Sequence, residues 1–206
     1  MEIIAENIGK KFNKEWIFRN FSFKTTTNQS YAITGPNGSG KSTLLQVLAG
    51  SSSPSEGQLF YQQKQQLIYP DTFFQYISLA APYLELIEEM TIREIANFHK
   101  GFKPFSDSIS TEQFLAKINL EQAADKEIRF LSSGMKQRVK LGLALFSDTP
   151  ILLLDEPTTN LDSKGIDWYL EEINKQLLKR IVVICSNQRY EHDFCDEEIK
   201  MLDIRY

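Results

Sequence analysis

The segment Gly35-Pro36-Asn37-Gly38-Ser39-Gly40-Lys41-Ser42 constrains this chain more than any other. It satisfies G-x-x-x-x-G-K-[ST], a spacing in which glycines let successive backbone N–H groups turn inward while a lysine supplies positive charge. Such a loop is specific for phosphate only when a strand feeds it and a helix leaves it. Both flanks read that way. Gln29–Thr34 has the composition of a strand, and Thr43–Ala49 carries Leu44, Leu45, Val47 and Leu48, with Gly50 where a helix C-cap belongs. The helix beginning near Lys41 adds its positive dipole end. Lys41 is therefore expected to meet the β- and γ-phosphates of a nucleoside triphosphate, and the Ser42 hydroxyl to ligate Mg²⁺.

Around this loop the chain alternates strands and helices. Glu2–Glu6 and Ile17–Lys24 are β-like runs, with Thr25-Thr26-Thr27-Asn28 as a break before Gln29–Thr34. Gln58–Tyr61 and Phe73–Ala80 read as further strands. From Tyr83 to about Leu131 the pattern becomes helical, and Thr91-Ile92-Arg93-Glu94 and Ser110-Thr111-Glu112-Gln113 both have capping-box spacing. Two short capped helices in mid-chain predict a helical insertion. Ile151–Leu154 and Ile181–Cys185 are near-continuous apolar runs, as expected of strands covered on both faces of a parallel sheet. Helices over Met135–Phe146 and Ile166–Leu178 alternate with them.

The first of those runs ends in Asp155-Glu156. A buried strand delivers Asp155 to the C-terminal edge of the sheet, beside the phosphate loop, where it can hold Mg²⁺ through water. Glu156 then lies near the γ-phosphate and can polarise an attacking water. A solvated acidic pair at a strand end is the competing reading.

Leu131-Ser132-Ser133-Gly134-Met135 runs straight into the helix Lys136–Phe146. Ser132 can cap that helix and hydrogen-bond an anion, and Gly134 allows close backbone approach. By itself a Ser-Gly helix start is common. Placed after a helical insertion and before the carboxylate strand, it resembles the ABC signature, usually written LSGGQ, with Ser133 and Met135 as substitutions. Pro157-Thr158-Thr159-Asn160-Leu161-Asp162 is similar to the D-loop of the same family.

This resemblance to ABC nucleotide-binding domains covers nearly the whole chain. It implies an α/β fold: a P-loop NTPase with a mixed, mainly parallel core sheet, an N-terminal antiparallel β subdomain and an inserted helical subdomain. One domain would span 1–206, with 1–81 and 136–206 as core and 82–135 as the insertion. The resemblance also implies ATP and Mg²⁺ as ligands. Gly35, Asn37, Gly38, Ser39, Gly40, Lys41, Ser42 and Thr43 would hold the phosphates, Ser42 and Asp155 the metal, and Lys41 and Glu156 would be catalytic. Ser132, Ser133 and Gly134 would complete the site of a second ATPase subunit, identical or different, and Asp162 would face that subunit. Phe12 stands where the family has an aromatic that stacks on adenine; a core position beside Trp16 and Phe18 is equally open.

Two expected polar residues are missing. Pro82 falls where the family has a glutamine that contacts Mg²⁺ and water, and a proline side chain cannot ligate a metal. Gln75, the nearest alternative, lies inside the expected strand. Asn187 falls where the family has a histidine against the γ-phosphate; it can donate a hydrogen bond but carries no proton at neutral pH. His192 comes several residues too late, and His99 is expected on the surface of the helical insertion. These departures leave open a nucleotide-gated structural or regulatory module with little hydrolysis.

The remaining expectations come from bulk properties. A net charge of −4 and a pI near 5.3 argue against a nucleic-acid partner. Cys185 and Cys195 form no metal or disulfide framework; Cys185, within Ile181–Cys185, reads as a small core residue. No run approaches the roughly 20 apolar residues of a membrane helix, and Met1–Glu6 lacks the features of a signal peptide. The chain is therefore expected in the cytoplasm, peripheral to the membrane through integral-membrane permease subunits. The Ser-Ser-Gly-Met variant in a short chain resembles ATPases that energise exporters.

Overall fold

The computed structural model describes residues 1–204. The chain opens with two long antiparallel strands, β1 (Glu2–Phe12) and β2 (Glu15–Lys24). β1 is twice the length expected from its sequence. Asn7, at φ 48°, marks a register shift between Ala5 and Ile8, and this bulge interrupts the alternation that would reveal the strand's second half. β3 (Ser30–Thr34) then feeds the phosphate loop and α1 (Lys41–Leu48) leaves it. Gly50, at φ 72°, ends that helix as expected, with its N–H bonded to the Val47 carbonyl.

β4 (Glu56–Gln63) and β5 (Gln66–Leu67) return to the first sheet, whose order is β2-β1-β4-β5. A short helix α2 (Pro70–Phe73) and a 3₁₀ turn (Phe74–Tyr76) precede β6 (Ile77–Ala80). The strand expected from Phe73 is thus only its second half. Phe73 is buried by stacking on Tyr61, with ring centroids 3.2 Å apart, so its apolar character serves a helical turn. α3 (Ile92–Phe102) and α4 (Thr111–Lys117) follow, both with complete capping boxes at Thr91/Glu94 and Ser110/Gln113. α5 (Ser133–Phe146), β7 (Ile151–Asp155), α6 (Ser163–Asn174), β8 (Ile181–Cys185), β9 (Glu197–Lys200) and α7 (Met201–Ile204) complete the chain.

The second sheet has the order β6-β7-β8-β3-β9, and all four of its pairings are parallel. Among the described residues the antiparallel strand pairs lie in the first sheet, apart from the isolated bridges Thr91–Glu127 and Phe105–Ser147. Strand alternation distributes the parallel sheet's side chains between two cores. Leu152, Leu154, Val182 and Ile184 pack with the helical region and α5. Ile151, Leu153, Ile181, Val183 and Cys185 pack with α1 and the antiparallel sheet. Both faces of β7 and β8 are therefore buried, which is what their unbroken apolar sequences require. Ends of four parallel strands, at Thr34, Ala80, Asp155 and Cys185, meet at one edge of the sheet. None of the helices described is long and apolar enough to cross a membrane.

Candidate active site

α1 begins at that edge with its terminal N–H groups free of any side-chain cap, because its N-cap is Gly40 at φ 100°. Only glycine fits there. A Cβ on Gly40 would lie 2.3 Å from Cγ2 of Ile17, and the torsion itself disfavours any side chain. Lys41 is 5% exposed, and its Nζ donates to the carbonyls of Gly35 at 2.8 Å and Pro36 at 3.4 Å. The ammonium thus lies folded across the loop.

Asp155 reaches this loop across the end of one intervening strand. β8 lies between β3 and β7, and its last residue, Cys185, is the register partner of Ile33 on one side and Asp155 on the other. The buried Cys185 thiol approaches the Lys41 carbonyl at 3.6 Å, so a small side chain underlies the loop, as its place in an apolar run predicts. Asp155 is 2% exposed, and its Oδ1 has no hydrogen-bond partner. Burial pushes its carboxyl above the ordinary range; a hydrogen bond with Ser42 and the Lys41 charge oppose this, while Glu156 and Glu191 reinforce it. A buried carboxylate oxygen without a partner, next to a hydroxyl, suits a hard cation that prefers oxygen ligands. Among the described residues no three His, Cys, Asp or Glu side chains cluster as a metal site. A cation here would complete its shell from water and phosphate.

Glu156, one residue beyond β7, has φ 43°. That conformation is rare for a residue with a side chain and costs on the order of 1–3 kcal/mol. Its N–H donates to the Cys185 carbonyl at 2.8 Å, which holds the turn in place. Glu156 stands between two recesses. One, of about 270 Å³, is bounded by Ile17, Gly38, Lys41, Ser42 and Thr43; the other, of about 400 Å³, by Thr158, Asn187, Tyr190 and Glu191; Asn37 belongs to both. Gly35 and Ser39 shape the loop from behind: Ser39 is 2% exposed, and its Oγ lies where a Cβ on Gly35 would collide.

Asn187 donates from Nδ2 to Oδ1 of Asn37 at 2.9 Å. His192 follows a 3₁₀ turn over Arg189–Glu191 and borders neither recess. The expectation of a surface His99 is corrected. His99 is half-buried, bonded to Ser147 Oγ at 2.7 Å and stacked on Phe105. Gln75 sits in the 3₁₀ turn before β6, at the opposite end of that strand from the site.

The Ser-Ser-Gly segment stands apart from both recesses. Ser132 caps α5, accepting from the Met135 N–H at 3.2 Å. A Cβ on Gly134 would lie 2.9 Å from the Asn160 carbonyl oxygen, so the segment is packed closely against the loop after Glu156. Gln137 joins the same contact by donating to the Pro157 carbonyl at 2.8 Å. Asp162 caps α6 through the Gly165 N–H at 2.8 Å and pairs with Arg138 at 3.4 Å. Phe12 is 50% exposed, which removes the core reading, and the Lys10 ammonium lies 5.2 Å from its ring centre.

Sequence reasoning did not find Ile17, Tyr83 or Glu191. Ile17 borders the loop recess from a β2 position with ordinary strand character. Tyr83 follows Pro82 in a turn closed by the Leu84 N–H to the Ala81 carbonyl at 3.2 Å. Glu191 is 1% exposed, and only its setting among charged neighbours in the sequence disguises it as a surface residue.

The family model for ABC transporters matches residues 18–159. The arabinose import ATP-binding protein AraG of Mannheimia succiniciproducens is 31% identical over 96% of this chain, which spans 41% of AraG's length. The cytochrome c biogenesis ATP-binding export protein CcmA of Agrobacterium fabrum is 28% identical over 92% of this chain and 90% of its own. Among solved structures, the dimeric ATP-binding cassette MJ0796 in a post-hydrolysis state with ADP and Pi superposes with a TM-score of 0.84. It covers 98% of this chain and 94% of that one at 24% identity, a likeness of fold. On these grounds the chain belongs to the ABC transporter family, as one of its nucleotide-binding ATPase domains.

Proposed function

We propose that this ATPase works as half of a dimer that closes around two ATP molecules and drives integral-membrane permease subunits. The observation that carries the reading is the separation of Ser132, Ser133 and Gly134 from the recess containing Lys41, Asp155 and Glu156. Those residues form a second anion-binding helix start that contributes nothing to the site within its own chain. A facing subunit gives it one: each Ser-Ser-Gly segment closes on the phosphates held by the other subunit's loop. Gly134, against Asn160, ties that movement to the loop following Glu156.

Within each site, the backbone of Asn37–Thr43 cradles the phosphates and Lys41 exchanges its loop carbonyls for phosphate oxygens. Ser42 and Asp155 would hold Mg²⁺, which would neutralise charge on the transferring phosphoryl group. Glu156 orients a water for in-line attack and accepts its proton. Asn187, fixed to Asn37, donates toward the γ-phosphate. Phe12 is the stacking partner for adenine, and Ile17 is one wall of the recess that takes the nucleotide. ATP binding favours the closed pair because the closed state makes contacts that the open one lacks, and hydrolysis releases it.

Residues 82–135 act as a helical module that transmits closure to the permease, and the protein sits at the cytoplasmic face through that partner. Export is the direction we assign. CcmA of A. fabrum, a relative spanned to 90% of its length, is an export protein, and the resemblance of the Ser-Ser-Gly-Met segment to exporter ATPases supports the same reading.

A Glu156→Gln variant tests the core of the proposal. It should bind ATP and elute as a dimer in its presence, while phosphate release falls at least 100-fold. A variant that stays monomeric at saturating ATP and tens of micromolar protein overturns the shared-site reading.

A further inference from the structure

Glu191 borders the recess beside Glu156 but has no role in the mechanism proposed above, and it is among the most deeply buried charged residues described. At 1% exposure, it accepts at Oε1 from the Thr158 backbone N–H at 2.8 Å. The Thr158 hydroxyl donates to the same oxygen. Its other oxygen, Oε2, is buried with no hydrogen-bond partner. Two tyrosines complete the cluster: Tyr190 meets the Thr158 hydroxyl at 3.0 Å, and Tyr169 donates to the Glu191 carbonyl at 3.2 Å.

A carboxylate kept in such a place opposes stability, because half of its hydrogen-bonding capacity is unmet. Its placement gives a reason for keeping it. Glu191 lies four residues after Asn187, in the segment that touches the phosphate loop through Asn37. Thr158 lies two residues after Glu156, in the segment packed against Gly134. The Glu191–Thr158 contact therefore joins the nucleotide-contacting turn to the loop that carries Glu156 at its root and faces the Ser-Ser-Gly segment. Both turns border the 400 Å³ recess that also contains Glu156 and Asn37. The Tyr190 and Thr158 hydroxyls also meet across the two turns, and the Glu156 N–H to Cys185 carbonyl bond joins their roots; Glu191 supplies the buried charged link.

We infer that Glu191 is a positioning residue that couples the Asn187 turn to the Thr158 loop, so that nucleotide held at one sets the loop for dimer closure and hydrolysis. It touches neither the nucleotide nor the attacking water. The inference rests on the shared-site reading above, and its test separates the two.

Three quantities are measured: affinity of the isolated subunit for a fluorescent ATP analogue, steady-state phosphate release, and ATP-induced dimerisation in the Glu156→Gln background. Glu191→Ala should leave analogue affinity within twofold, lower kcat at least tenfold, and raise the dimer dissociation constant at least tenfold. Glu191→Gln, which keeps an acceptor for the Thr158 N–H, should recover most of both losses. Thr158→Val should repeat the split in milder form and serves if Glu191→Ala does not fold. If Glu156→Gln dimerises with ATP and Glu191→Ala in that background dimerises equally well, the coupling role is overturned while the shared site stands. Loss of analogue affinity in parallel with kcat also overturns it, since Glu191 would then be building the nucleotide pocket itself. Failure of Glu156→Gln alone to dimerise removes the reading on which the inference rests.

Discussion

The side-chain amide of Asn187 donates to Oδ1 of Asn37 at 2.9 Å, joining the end of the last buried strand to the phosphate loop. The pairing orients Asn187 with its donor toward the loop, so an uncharged side chain can contribute a directed hydrogen bond where a histidine would contribute one with a titratable proton. Asn187→Ala should therefore lower kcat by roughly 100-fold, the low end of the range for losing one preorganised donor, with KM for ATP changing less than threefold. Because Asn187 does not titrate, kcat of the wild type should show no step assignable to this position between pH 6 and 8. Phosphate-release profiles of the wild type and the variant, recorded across that range, check both points.

Asp155 makes opposite demands on stability and function. Its buried Oδ1 has no partner, and burial raises its carboxyl above the ordinary range. Asp155→Asn removes the charge with little change of shape. It should raise the melting temperature of the nucleotide-free protein by about 2–4 °C, equivalent to about 1 kcal/mol in a chain of this size. The same variant should lose Mg²⁺-dependent phosphate release by more than 100-fold. Thermal melts without nucleotide, paired with turnover at saturating Mg²⁺, test the opposed signs.

The parts of the site legible in the sequence are those fixed by local chain geometry. The loop 35–42 needs glycine at Gly40 because the torsion and the Ile17 methyl both exclude a side chain, and that requirement is visible as spacing. Asp155 is legible because a strand buried on both faces must be apolar until it ends. Glu191 and Tyr83 are not legible. Their roles depend on which turns the sheet order brings together, and β8 entering between β3 and β7 has no local signature. The same applies to β9: its Glu197–Lys200 sequence is charged because it is an edge strand, paired on one side to β3. α6 begins earlier than its apolar spacing predicts, at Ser163, because the Asp162 side chain caps the Gly165 N–H.

Tyr83 directly follows Pro82, the position at which the resemblance places a glutamine. Register places Ala80 opposite Leu154, so the turn after β6 lies beside Asp155. Ser42 and Gln46 are four residues apart on α1 and share one face of it. Tyr83 stays 42% exposed, and partial desolvation moves its phenol pKa upward, with the nearby Asp155 carboxylate adding to this and a hydrogen bond from Gln46 opposing it. It thus stays protonated, with a hydroxyl to offer at neutral pH. Tyr83→Phe keeps the ring and removes only that group. It should lower phosphate release about 3- to 10-fold and weaken the Mg²⁺ requirement's half-saturation by a similar factor, while the melting temperature stays within about 2 °C. A Mg²⁺ titration at fixed ATP reads the effect.

His99 makes stability depend on pH. Burial, with the Lys103 charge as a lesser cause, lowers its pKa from 6.5 to about 4, so the folded protein holds it neutral against Phe105 and Ser147. An unfolded chain takes up a proton near pH 6.5, whereas the folded one does so only near pH 4. Between these values the unfolded state binds more protons, so stability falls as pH falls. The contribution is complete above about pH 6.5 and is lost progressively down to about pH 4, amounting to roughly 2–3 kcal/mol over that window. His99→Gln can still hydrogen-bond Ser147 but does not titrate. Its unfolding free energy should be lower than the wild type's at pH 7.5, by about 1 kcal/mol for the lost ring packing. As the pH is lowered toward 4.5 the two curves should converge and cross. Urea melts of both proteins at half-unit intervals from pH 7.5 to 4.5 measure the difference, and parallel curves across the window would show that His99 is not the titrating group.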